Sequence, residues 1–496
     1  MARKLARRLG QAWLDGGDAV TIIEGETSWT ARQLGDHADR LQAHLEAHGV
    51  APTEPVCVLV SNRAVDFAAF LAVWRLGGVV VPIHRTSPKA AQDQIFAAAG
   101  CRLLLDGLDS PAVHSTGAPQ LPDPLLEDAA VVVFTSGSTG LPKGVVLSHT
   151  ALATKLDNNC RVLDFHAGER TLLALQITFS FGLWVSLLTL TTGGLLVIHQ
   201  KFDPAAVLRD IRRHAITRTG LVPTMLRAIL ASGLTPDTPS LRHIYTGGEL
   251  LSGPLGQTVA EAFASTTLFN IFGLTETGTC DLFLHGRDLA EHPGAVGRPG
   301  PGVSIRIADE AGNPVPAGSV GELQIQTETI MSGYLGQPDL TAASFADGFF
   351  RTGDLARASR DGIVEVVGRA KELISRGGNK VYPQEVELAL QSHPAVALAL
   401  ATGLPDPLLG ERIHAAILLK PGKQADADSL RAWTAERLDK FKRPDAIHFV
   451  EELPTGRTGK ADRKRLGELL AANGAASEGH AQPHPSHPPQ EQRHET

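Results

Sequence analysis

The sequence predicts an α/β fold in two domains: a large N-terminal domain of parallel-rich sheets with helices, and a small α+β C-terminal domain. Its 496 residues, 43% of them hydrophobic, can bury more than one core, because a domain typically takes about 100 to 200 residues. Strand-like and helical patterns alternate along most of the chain and restart as a smaller unit after about Lys371. We place the domains at 1–370 and 371–472, followed by a tail at 473–496 that we expect to be disordered.

The first regular elements follow a strand–helix–strand pattern. Residues 56–60 predict a buried strand, 64–76 an amphipathic helix and 79–81 the next strand, which indicates a parallel pair. Two further predicted strands, 243–245 and 267–272, run directly into polar turns. Because ligands of open α/β sheets gather at the carboxyl ends of strands, these turns are candidate parts of a binding site.

Composition narrows the class of protein. The formal net charge of −7 shows no basic excess, so a nucleic-acid partner is not indicated. The four cysteines are scattered and form no CxxC pair, which favours a reducing, cytoplasmic setting. The basic N-terminal residues 3–8 lack a long apolar run, so we predict a surface helix there and no signal peptide.

Residues 135–144, Thr-Ser-Gly-Ser-Thr-Gly-Leu-Pro-Lys-Gly, are the most informative stretch of the chain. They follow the apolar run 131–134 and predict a strand that opens into a phosphate-binding loop. Glycines allow positive φ and converging N–H groups, while four hydroxyls and the Lys143 ammonium add donors for anionic oxygens. The loop is not a Walker A motif, because Lys143 is followed by Gly144. The alternative is an ordinary polar surface turn, which the apolar runs on both sides disfavour.

Five segments of the chain, in order, resemble the motifs of the acyl-adenylate-forming superfamily, which includes acyl-CoA synthetases and standalone adenylation enzymes. They are 135–144, 270–276 (NIFGLTE), 351–354 (RTGD), 368–387 with its Gly-Arg-Ala-Lys-Glu and Gly-Gly-Asn-Lys stretches, and 454–460 (PTGRTGK). The resemblance implies an acid–thiol ligase that uses ATP and Mg²⁺ to convert a small carboxylic acid into an acyl-adenylate and then transfers the acyl group to CoA. It also implies that the C-terminal domain is mobile.

The resemblance implies a role for each candidate residue at the nucleotide. The phosphates would contact the loop through Thr135, Ser136, Gly137, Ser138, Gly140 and Lys143. The metal would be held by Glu276 and Thr139, which with Lys460 form the catalytic set. The adenine and ribose would be bound by Gly247, Gly248, Glu249, Phe272, Gly273, Thr275, Asp354 and Arg369. Taken singly, a capping role for Asp354 or Glu276 and a surface ion pair for Arg369 are the alternatives.

The same resemblance implies a hinge at Lys371. Rotation of the small domain about this position would replace the Lys460 loop by the segment that contains Gly378, where the missing side chain would leave room for pantetheine. The interfaces between domains resemble transient ones, so such a motion is physically reasonable.

The acid would be lined by Phe179, Gly182 and Thr246. The surrounding stretch carries no charged side chain, and an unpaired ammonium or second carboxylate would be costly to bury. An apolar monocarboxylate, aromatic or of medium chain length, therefore fits best, although the aromatic side chains here could simply be core. CoA is favoured over a carrier-protein phosphopantetheine because the chain shows no carrier domain. A non-catalytic binding protein is the remaining alternative, and it is disfavoured because every charged role is filled.

Two stretches have alternative interpretations. Residues 171–200 lack Asp, Glu, Lys and Arg, but a membrane span there would separate the phosphate loop from the later motifs, so we predict no transmembrane segment. The tail after residue 472 is rich in Ala, Gly, Pro and His, and it has too few large apolar residues to form a core. Its histidines could bind metal nonspecifically, but a solvated tail is the simpler interpretation.

Overall fold

The computed structural model describes residues 4–106, 112–115, 123–136, 142–289, 291–292, 294–454 and 461–478. The chain divides into two compact units, 1–366 and 367–496. The boundary lies inside a strand at residues 364–369, slightly before the position after residue 370 that the sequence suggests. Each unit has its own sheets and core.

The described residues form fourteen α-helices. In the first unit these are α1 Lys4–Gly16, α2 Ala31–Ala47, α3 Ala64–Leu76, α4 Lys89–Ala98, α5 His149–Val162, α6 Ser180–Thr191, α7 Pro204–Arg213, α8 Pro223–Ala231, α9 Gly253–Ala262, α10 Gly286–Leu289 and α11 Pro338–Ala343. In the second unit they are α12 Pro383–Gln391, α13 Ala427–Ala435 and α14 Arg463–Glu478.

The strands number twenty-six in the same residues. The first unit contains β1 Val20–Glu24, β2 Thr27–Thr30, β3 Pro55–Val60, β4 Val79–His84, β5 Leu103–Asp106, β6 Ala112–Ser115, β7 Ala129–Ser136, β8 Pro142–Ser148, β9 Arg170–Leu173, β10 Leu195–Ile198, β11 Arg218–Gly220, β12 His243–Gly247, β13 Thr267–Phe272, β14 Leu282–His285, β15 Ala295–Pro299, β16 Val303–Ala308, β17 Gly321–Thr327, β18 Gly333–Tyr334, β19 Phe345–Ala346 and β20 Phe349–Ala358. Strand β21, Val364–Arg369, crosses the boundary, and the second unit contains β22 Ile374–Arg376, β23 Asn379–Val381, β24 Val396–Asp406, β25 Gly410–Leu419 and β26 Ala446–Phe449.

Two sheets build the first unit. The larger has the order β16-β17-β20-β21-β15-β14-β13-β12-β11-β9-β10-β1-β2, with β19 on β20, and its run from β13 to β1 is parallel. The smaller has the order β18-β8-β7-β4-β3-β5-β6, and β3, β4, β5 and β7 are parallel within it. The predicted strand–helix–strand unit is confirmed, because β3 and β4 pair in parallel on either side of α3.

A layer of helices is packed between these sheets. The largest cluster of buried side chains draws on α1, α2, α3, α5 and α6 and on strands of both sheets. Helix α3 is the centre of this layer: its residues from Ala64 to Trp74 are all buried. Its hydrophobic face is therefore continuous around the helix, as expected for a helix covered on all sides. The Trp74 indole N–H donates to the Ala130 carbonyl of β7, 2.7 Å away, and ties the layer to the smaller sheet.

The uncharged stretch 171–200 folds as β9, α6 and β10, all of them buried in the first unit. In the part of the chain that the structure describes, no helix combines the length and apolarity that a membrane crossing needs. The predicted N-terminal helix is α1, which buries Leu5, Leu9 and Trp13.

The second unit is an α+β fold around the sheet β23-β22-β25-β24, with β26 parallel to β25. Its core is formed by β24, β25, α12 and α13. Helix α14 continues to Glu478, beyond the limit at residue 472. The sequence Ala-Asn-Gly-Ala-Ala-Ser-Glu is rich in alanine, which has the highest helix propensity, so the first residues of the expected tail are helical. Residues 479–496 lie outside the described part of the chain.

Candidate active site

The phosphate-binding segment lies on a hairpin of the smaller sheet. Strands β7 and β8 are antiparallel, with Thr135 opposite Lys143 and Ser136 opposite Pro142. The ends of the loop are thereby fixed to each other. The predicted contacts Gly137, Ser138, Thr139 and Gly140 lie between these ends, outside the described residues. The ammonium of Lys143 is 5.3 Å from the ring centroid of Tyr334.

Glu276 lies on a compact turn, residues 273–281, which we call the Glu276 turn. It begins where β13 ends and contains a 3₁₀ turn at Thr275–Thr277. A Cβ atom at Gly273 would lie 2.2 Å from the backbone nitrogen of Cys280, so only glycine allows the two ends of the turn to approach this closely. The Glu276 carboxylate accepts a hydrogen bond from the Tyr334 hydroxyl at 2.9 Å.

A buried ion pair holds this turn in place. Lys155 of α5 contacts Asp281 at 2.6 Å, and their side chains are 3% and 0% exposed. The hydroxyl of Thr277 donates to the second oxygen of the same carboxylate. Thr329 in turn donates to the backbone carbonyl of Thr277. The residue next to Glu276 is thus held by a charged group that water cannot reach.

Glu276 fits the role of a magnesium ligand by its chemistry. The described residues contain no group of three or more His, Cys, Asp or Glu side chains that could hold a metal on its own. A single carboxylate combined with phosphate oxygens and water is, however, a common ligand set for Mg²⁺, which is hard and gives up its waters reluctantly. Only one oxygen of the Glu276 carboxylate receives the Tyr334 hydrogen bond. The other candidate ligand, Thr139, lies outside the described residues.

The candidate adenine contacts are adjacent at the ends of two parallel strands. Strands β12 and β13 pair with Thr246 opposite Asn270 and Gly247 opposite Ile271. A Cβ at Gly247 would lie 2.2 Å from the carbonyl oxygen of Ile271, so the strands require glycine here. Gly248 follows with φ +79°. Phe272, at the end of β13, is partly buried and packs against an apolar cluster formed by strands β14, β15, β16, β17, β20 and β21.

Glu249 has partners that its sequence motif did not indicate. Its carboxylate accepts hydrogen bonds from the backbone N–H and the hydroxyl of Thr224, at 3.1 and 2.7 Å, in the first turn of α8. It also lies 3.7 Å from Arg227 of the same helix. A carboxylate beside the first N–H groups of a helix is favourably placed, so Glu249 fixes the start of α8 next to the glycines.

Asp354 lies in β20 directly after a residue with positive φ. It is 3% exposed, and its backbone N–H donates to the Thr352 hydroxyl at 3.0 Å. That hydroxyl donates to the carbonyl of Leu323 at 2.6 Å, which fixes the stretch to β17. The intervening Gly353 has φ +72° and donates to Glu322. The local fold of the Thr-Gly-Asp segment is therefore determined by side-chain contacts to the neighbouring strand.

The segment 175–182, which leads into α6, contains the predicted acid-lining residues Phe179 and Gly182. Gly182 is buried, and a Cβ there would lie 2.3 Å from the Gln176 carbonyl oxygen. Phe179 precedes the helix and is partly exposed. Ser180 shares hydrogen bonds of 3.2 Å with Thr275 and Thr279, so this segment contacts the Glu276 turn.

Asn62 fastens the same segment to the smaller sheet. It is 1% exposed and has φ +57° just after β3. Its amide donates to the Leu175 carbonyl at 2.7 Å and to the His199 carbonyl at 3.4 Å, and its side-chain oxygen accepts from the Ile177 N–H at 3.0 Å. Asparagine adopts the left-handed conformation more readily than most residues. One neutral side chain thus connects strands of both sheets at the segment.

A second buried cluster of charged residues contacts Tyr245, the residue before Thr246. Glu169 and Arg218, both with fully buried side chains, are 2.8 Å apart. Arg218 also donates to the Tyr245 hydroxyl, and Trp184 of α6 packs edge-on against Tyr245 with ring centroids 6.0 Å apart. Burial alone would raise the pKa of Glu169, but hydrogen bonds from Arg218 and Thr217 outweigh it and lower the pKa to about 2.

Thr246 itself is fully buried, and its hydroxyl has no hydrogen-bond partner within the described ranges. A buried hydroxyl without a partner is uncommon, and it is a feature of sites that bind a polar group. A small cavity behind α6, lined by Trp184, Ser180 and Lys155 among others, has room for about one water molecule. It is too small to hold an acid.

The remaining predicted residues belong to the second unit. Arg369 and Lys371 are exposed at the 3₁₀ turn of residues 370–372. Gly378 lies at the tip of the β22–β23 hairpin, whose two turn residues have φ +57° and +79°. These angles match a type I′ turn, which favours glycine, and a Cβ at Gly378 would meet open space. Lys460 lies outside the described residues.

Three polar groups at this site were missed by reasoning from sequence. They are the Tyr334 hydroxyl, the Asn62 amide and the Lys155–Asp281 pair. Each acts on a partner that is 58 to 126 positions away in the chain, so no local motif announces it. The positive φ of Asn62 follows a strand and could have been suspected from Ser-Asn after an apolar run. The residues of the other two groups lie in stretches without any comparable signal.

Comparison with known proteins agrees with the fold. Residues 11–335 match the AMP-binding enzyme family and residues 385–460 match the AMP-binding enzyme C-terminal domain. The chain is 33% identical over 465 residues to a feruloyl-CoA synthase of Amycolatopsis sp, covering 89% of this chain and 94% of the relative. It is 34% identical over 499 residues to the sulfoacetate–CoA ligase of Cupriavidus necator, with coverages of 94% and 97%.

The structure is similar to that of o-succinylbenzoate coenzyme A synthetase from Bacillus subtilis solved with ATP and a magnesium ion. The TM-score is 0.82 at 28% sequence identity, covering 92% of this chain and 98% of the other. These relatives confirm the acid–thiol ligase class predicted from the sequence, together with ATP, Mg²⁺ and CoA as the molecules it uses. The chain belongs to the AMP-binding enzyme family.

Proposed function

We propose that this protein is an AMP-forming acyl-CoA synthetase whose acid is an apolar monocarboxylate. The nucleotide-binding part of this proposal rests on one observation: Tyr334 contacts two charged groups, Lys143 and Glu276. The ring lies 5.3 Å from the ammonium of Lys143, and the hydroxyl donates to Glu276 at 2.9 Å. A cation and a carboxylate at the exit of a phosphate loop are the groups that a metal-bound polyphosphate requires.

In the adenylation step, the acid carboxylate attacks the α-phosphate of ATP and pyrophosphate leaves. Lys143 and the loop before it would hold the leaving phosphates, and Asp354 would orient the ribose. Mg²⁺, when bound, neutralises charge on the phosphate oxygens, and Glu276 with Thr139 would hold it. Lys460 would stabilise the attacking carboxylate and the α-phosphate as a point charge. The enzyme mainly holds two anions together, which accounts for much of the rate enhancement in such reactions.

The choice of an apolar acid rests on how the charges around the 175–182 segment are paired. Helix α6 carries no charged residue, and Lys155, which lines a small cavity together with Ser180, is paired with Asp281. A substrate ammonium or second carboxylate buried here would have to break this pair or remain unpaired, at a cost of several kcal/mol. The names of the relatives include an aromatic acid and a sulfonated one, so the preference of this chain depends on its own residues.

For the second half-reaction we propose that the thiol of CoA attacks the carbonyl carbon of the acyl-adenylate, with AMP as the leaving group, after the small domain has turned about Lys371. The alternative acceptor is the phosphopantetheine of a carrier protein, which presents the same thiol. The free cysteines at positions 57, 101, 160 and 280 fit a reducing compartment, and we place the enzyme in the cytoplasm.

A panel of acids tests the proposal. Pyrophosphate release should be fastest with benzoate-like or medium-chain acids, and it should continue past one turnover only when CoA is added. Amino acids and short diacids should be poorer substrates by about 10² in kcat/KM. Lys460→Ala should abolish adenylate formation but largely preserve thioester formation from added acyl-adenylate. A best substrate that carries a second charge would contradict the acid class, whereas multiple turnovers only with a loaded carrier protein would favour the alternative acceptor.

A further inference from the structure

Among the described residues, Tyr334 is the side chain that contacts both Lys143 and Glu276. It forms β18 together with Gly333, and it is 4% exposed. Its hydroxyl donates to Oε1 of Glu276 at 2.9 Å, and the face of its ring is turned towards Lys143. An ionised carboxylate can only accept hydrogen bonds, so the phenol is the donor in this contact.

The backbone around Tyr334 joins the same two regions. Strand β18 pairs with β8 in the register Gly333 to Val146 and Tyr334 to Val145. Leu335 donates to the carbonyl of Gly144 at 2.8 Å, directly after the phosphate loop. At the other end, the N–H of Met331 donates to the carbonyl of Glu276 at 2.7 Å. The five residues 331–335 thus contact both the strand that leaves the phosphate loop and the Glu276 turn.

Tyr334 is itself held in place. Its N–H donates to the Thr341 hydroxyl at 2.9 Å, and that hydroxyl donates to the carbonyl of Gln337 at 3.0 Å. The ring packs in the large apolar core of the first unit. A phenylalanine would fill the same space in this core. The hydroxyl therefore adds a directed hydrogen bond to Glu276 that apolar packing does not require.

We propose that Tyr334 is a positioning residue for the adenylation step, and that its hydroxyl orients the Glu276 carboxylate towards the metal-bound phosphates. The inference rests on the proposed function of this site. By donating to one carboxylate oxygen, Tyr334 fixes the plane of the group and leaves the second oxygen to the cation. Because residues 331–335 also pair with β8, the carboxylate and the strand that leaves the phosphate loop keep a constant separation. Positioned ligands of this kind lose affinity when the group that orients them is removed.

The test compares Tyr334→Phe with wild type in two measurements. The first is binding of Mn²⁺·ATP, followed by electron paramagnetic resonance of Mn²⁺, which needs neither an acid nor turnover. The second is the Mg²⁺ concentration that gives half-maximal pyrophosphate exchange at fixed ATP. A hydrogen bond to a charged group is worth enough that both should weaken by roughly tenfold. The KM for CoA in thioester formation from added acyl-adenylate should stay within twofold.

A double-mutant cycle separates positioning from general damage. In a Glu276→Gln background, the added Tyr334→Phe change should alter Mn²⁺·ATP affinity by less than twofold, because the charged partner is already gone. Tyr245→Phe is the matched control, since it also removes a buried hydroxyl with a charged partner, in this case Arg218. It should leave the Mg²⁺ half-saturation unchanged. Thr341→Val, which loosens the backbone of Tyr334 but keeps the phenol, should shift both readouts in the same direction by a smaller factor.

Two results would overturn the inference: wild-type Mn²⁺·ATP affinity in Tyr334→Phe, or an equal loss in the presence and absence of the Glu276 carboxylate. Failure of the proposed function would look different. In that case wild-type protein would show no acid-dependent pyrophosphate exchange with any acid, while its binding of Mn²⁺·ATP would still report on Tyr334.

Discussion

The Glu276 turn and the 175–182 segment are adjacent in the first unit but are held by opposite kinds of interaction. The turn rests on a buried charged group, Lys155 with Asp281, and on the hydroxyls of Thr329 and Tyr334, which reach it from distant positions. The segment is held by the neutral amide of Asn62 and by the missing side chain of Gly182. Ser180 and Thr275 join them through hydroxyls.

This difference is the one that the proposed roles of the two regions require. A turn that carries a metal ligand must keep a carboxylate in one position against the pull of a dication and several phosphate charges, and a buried ion pair resists such displacement. A wall that faces an apolar acid gains nothing from a charge and would lose affinity if one were exposed. Neutral hydrogen bonds and close backbone packing fix such a wall without adding charge.

The largest effect should come from breaking the buried pair. Asp281→Asn leaves the Lys155 ammonium without its counter-charge in a dry environment and should lower the free energy of unfolding by about 3 to 5 kcal/mol. Urea unfolding followed by tryptophan fluorescence measures this. Arg213→Ala, which breaks an ion pair whose side chains are 46% and 80% exposed, is the control and should cost about 0 to 1 kcal/mol. Equal losses in the two variants would contradict the role given to Lys155 and Asp281.

Among the variants that act on the acid, Gly182→Ala should have the largest effect. The new methyl group would be placed 2.3 Å from the Gln176 carbonyl, so the start of α6 must shift. Overpacking of this kind costs about 1 to 3 kcal/mol, which corresponds to a loss of roughly 10 to 100-fold in kcat/KM for the acid. The KM for ATP should change little.

Gly35→Ala is the matched control for that change. Gly35 also lies in a helix, α2, but a Cβ there would meet open space. Alanine should therefore be neutral or slightly stabilising at position 35. If Gly182→Ala reduced the affinities for acid and ATP equally, the 175–182 segment would not be specific to the acid.

Asn62 allows the neutral attachment to be tested by itself. Asn62→Gly keeps the freedom to adopt φ +57° but removes the hydrogen bonds to Leu175, His199 and Ile177. The expected loss is about 2 to 3 kcal/mol in the free energy of unfolding, at roughly 1 kcal/mol for each bond, together with a raised KM for the acid. Asn62→Ala should cost more, because alanine also strains at positive φ. If alanine were tolerated better than glycine, backbone conformation would not matter at this position.

The order of the elements and the turn that follows β13 could be predicted from the sequence, because both depend on local signals. The run 56–60, the helix 64–76 and the strand 267–272 match β3, α3 and β13 to within a residue or two. The motif at 270–276 predicted a functional turn after a strand, and the structure has a sharp turn there. Strand ends and glycine turns depend on residues that are neighbours in the sequence, so local sequence patterns are enough to predict them.

The contacts that hold the site could not be predicted in this way. Tyr334 and Glu276, or Asn62 and Leu175, come together only after two sheets and a layer of helices have packed. The fixed pairing of Glu249 with Thr224 likewise depends on how α8 begins beside β12. The sequence also carried no sign that helix α14 continues past residue 472, because a tail poor in large apolar residues can still extend an existing helix through alanine.

The smallest expected effect is a pH dependence of the free energy of unfolding that arises from the buried carboxylate of Glu169. Glu169 lies behind Tyr245 and Trp184, with its pKa lowered to about 2 by Arg218 and Thr217 against the opposing effect of burial. An unfolded chain would bind a proton at this group near pH 4.5. The contribution of Glu169 to stability is therefore complete above about pH 5 and is lost as the pH falls towards 2.

Glu169→Gln removes this titration but keeps the size of the side chain. The difference in the free energy of unfolding between wild type and Glu169→Gln should shrink by about 2 kcal/mol between pH 5 and pH 3, since one pKa unit corresponds to about 1.4 kcal/mol. Urea unfolding at several pH values measures it, and the comparison of two variants cancels the titration of all other groups. Glu26→Gln should show a much smaller change, because Arg213 lowers the pKa of Glu26 in a pair that water screens and whose carboxylate side chain is 80% exposed. A difference that stayed constant with pH would mean that Glu169 has the same pKa in the folded and the unfolded chain, so that Arg218 and Thr217 do not favour its ionised form over water.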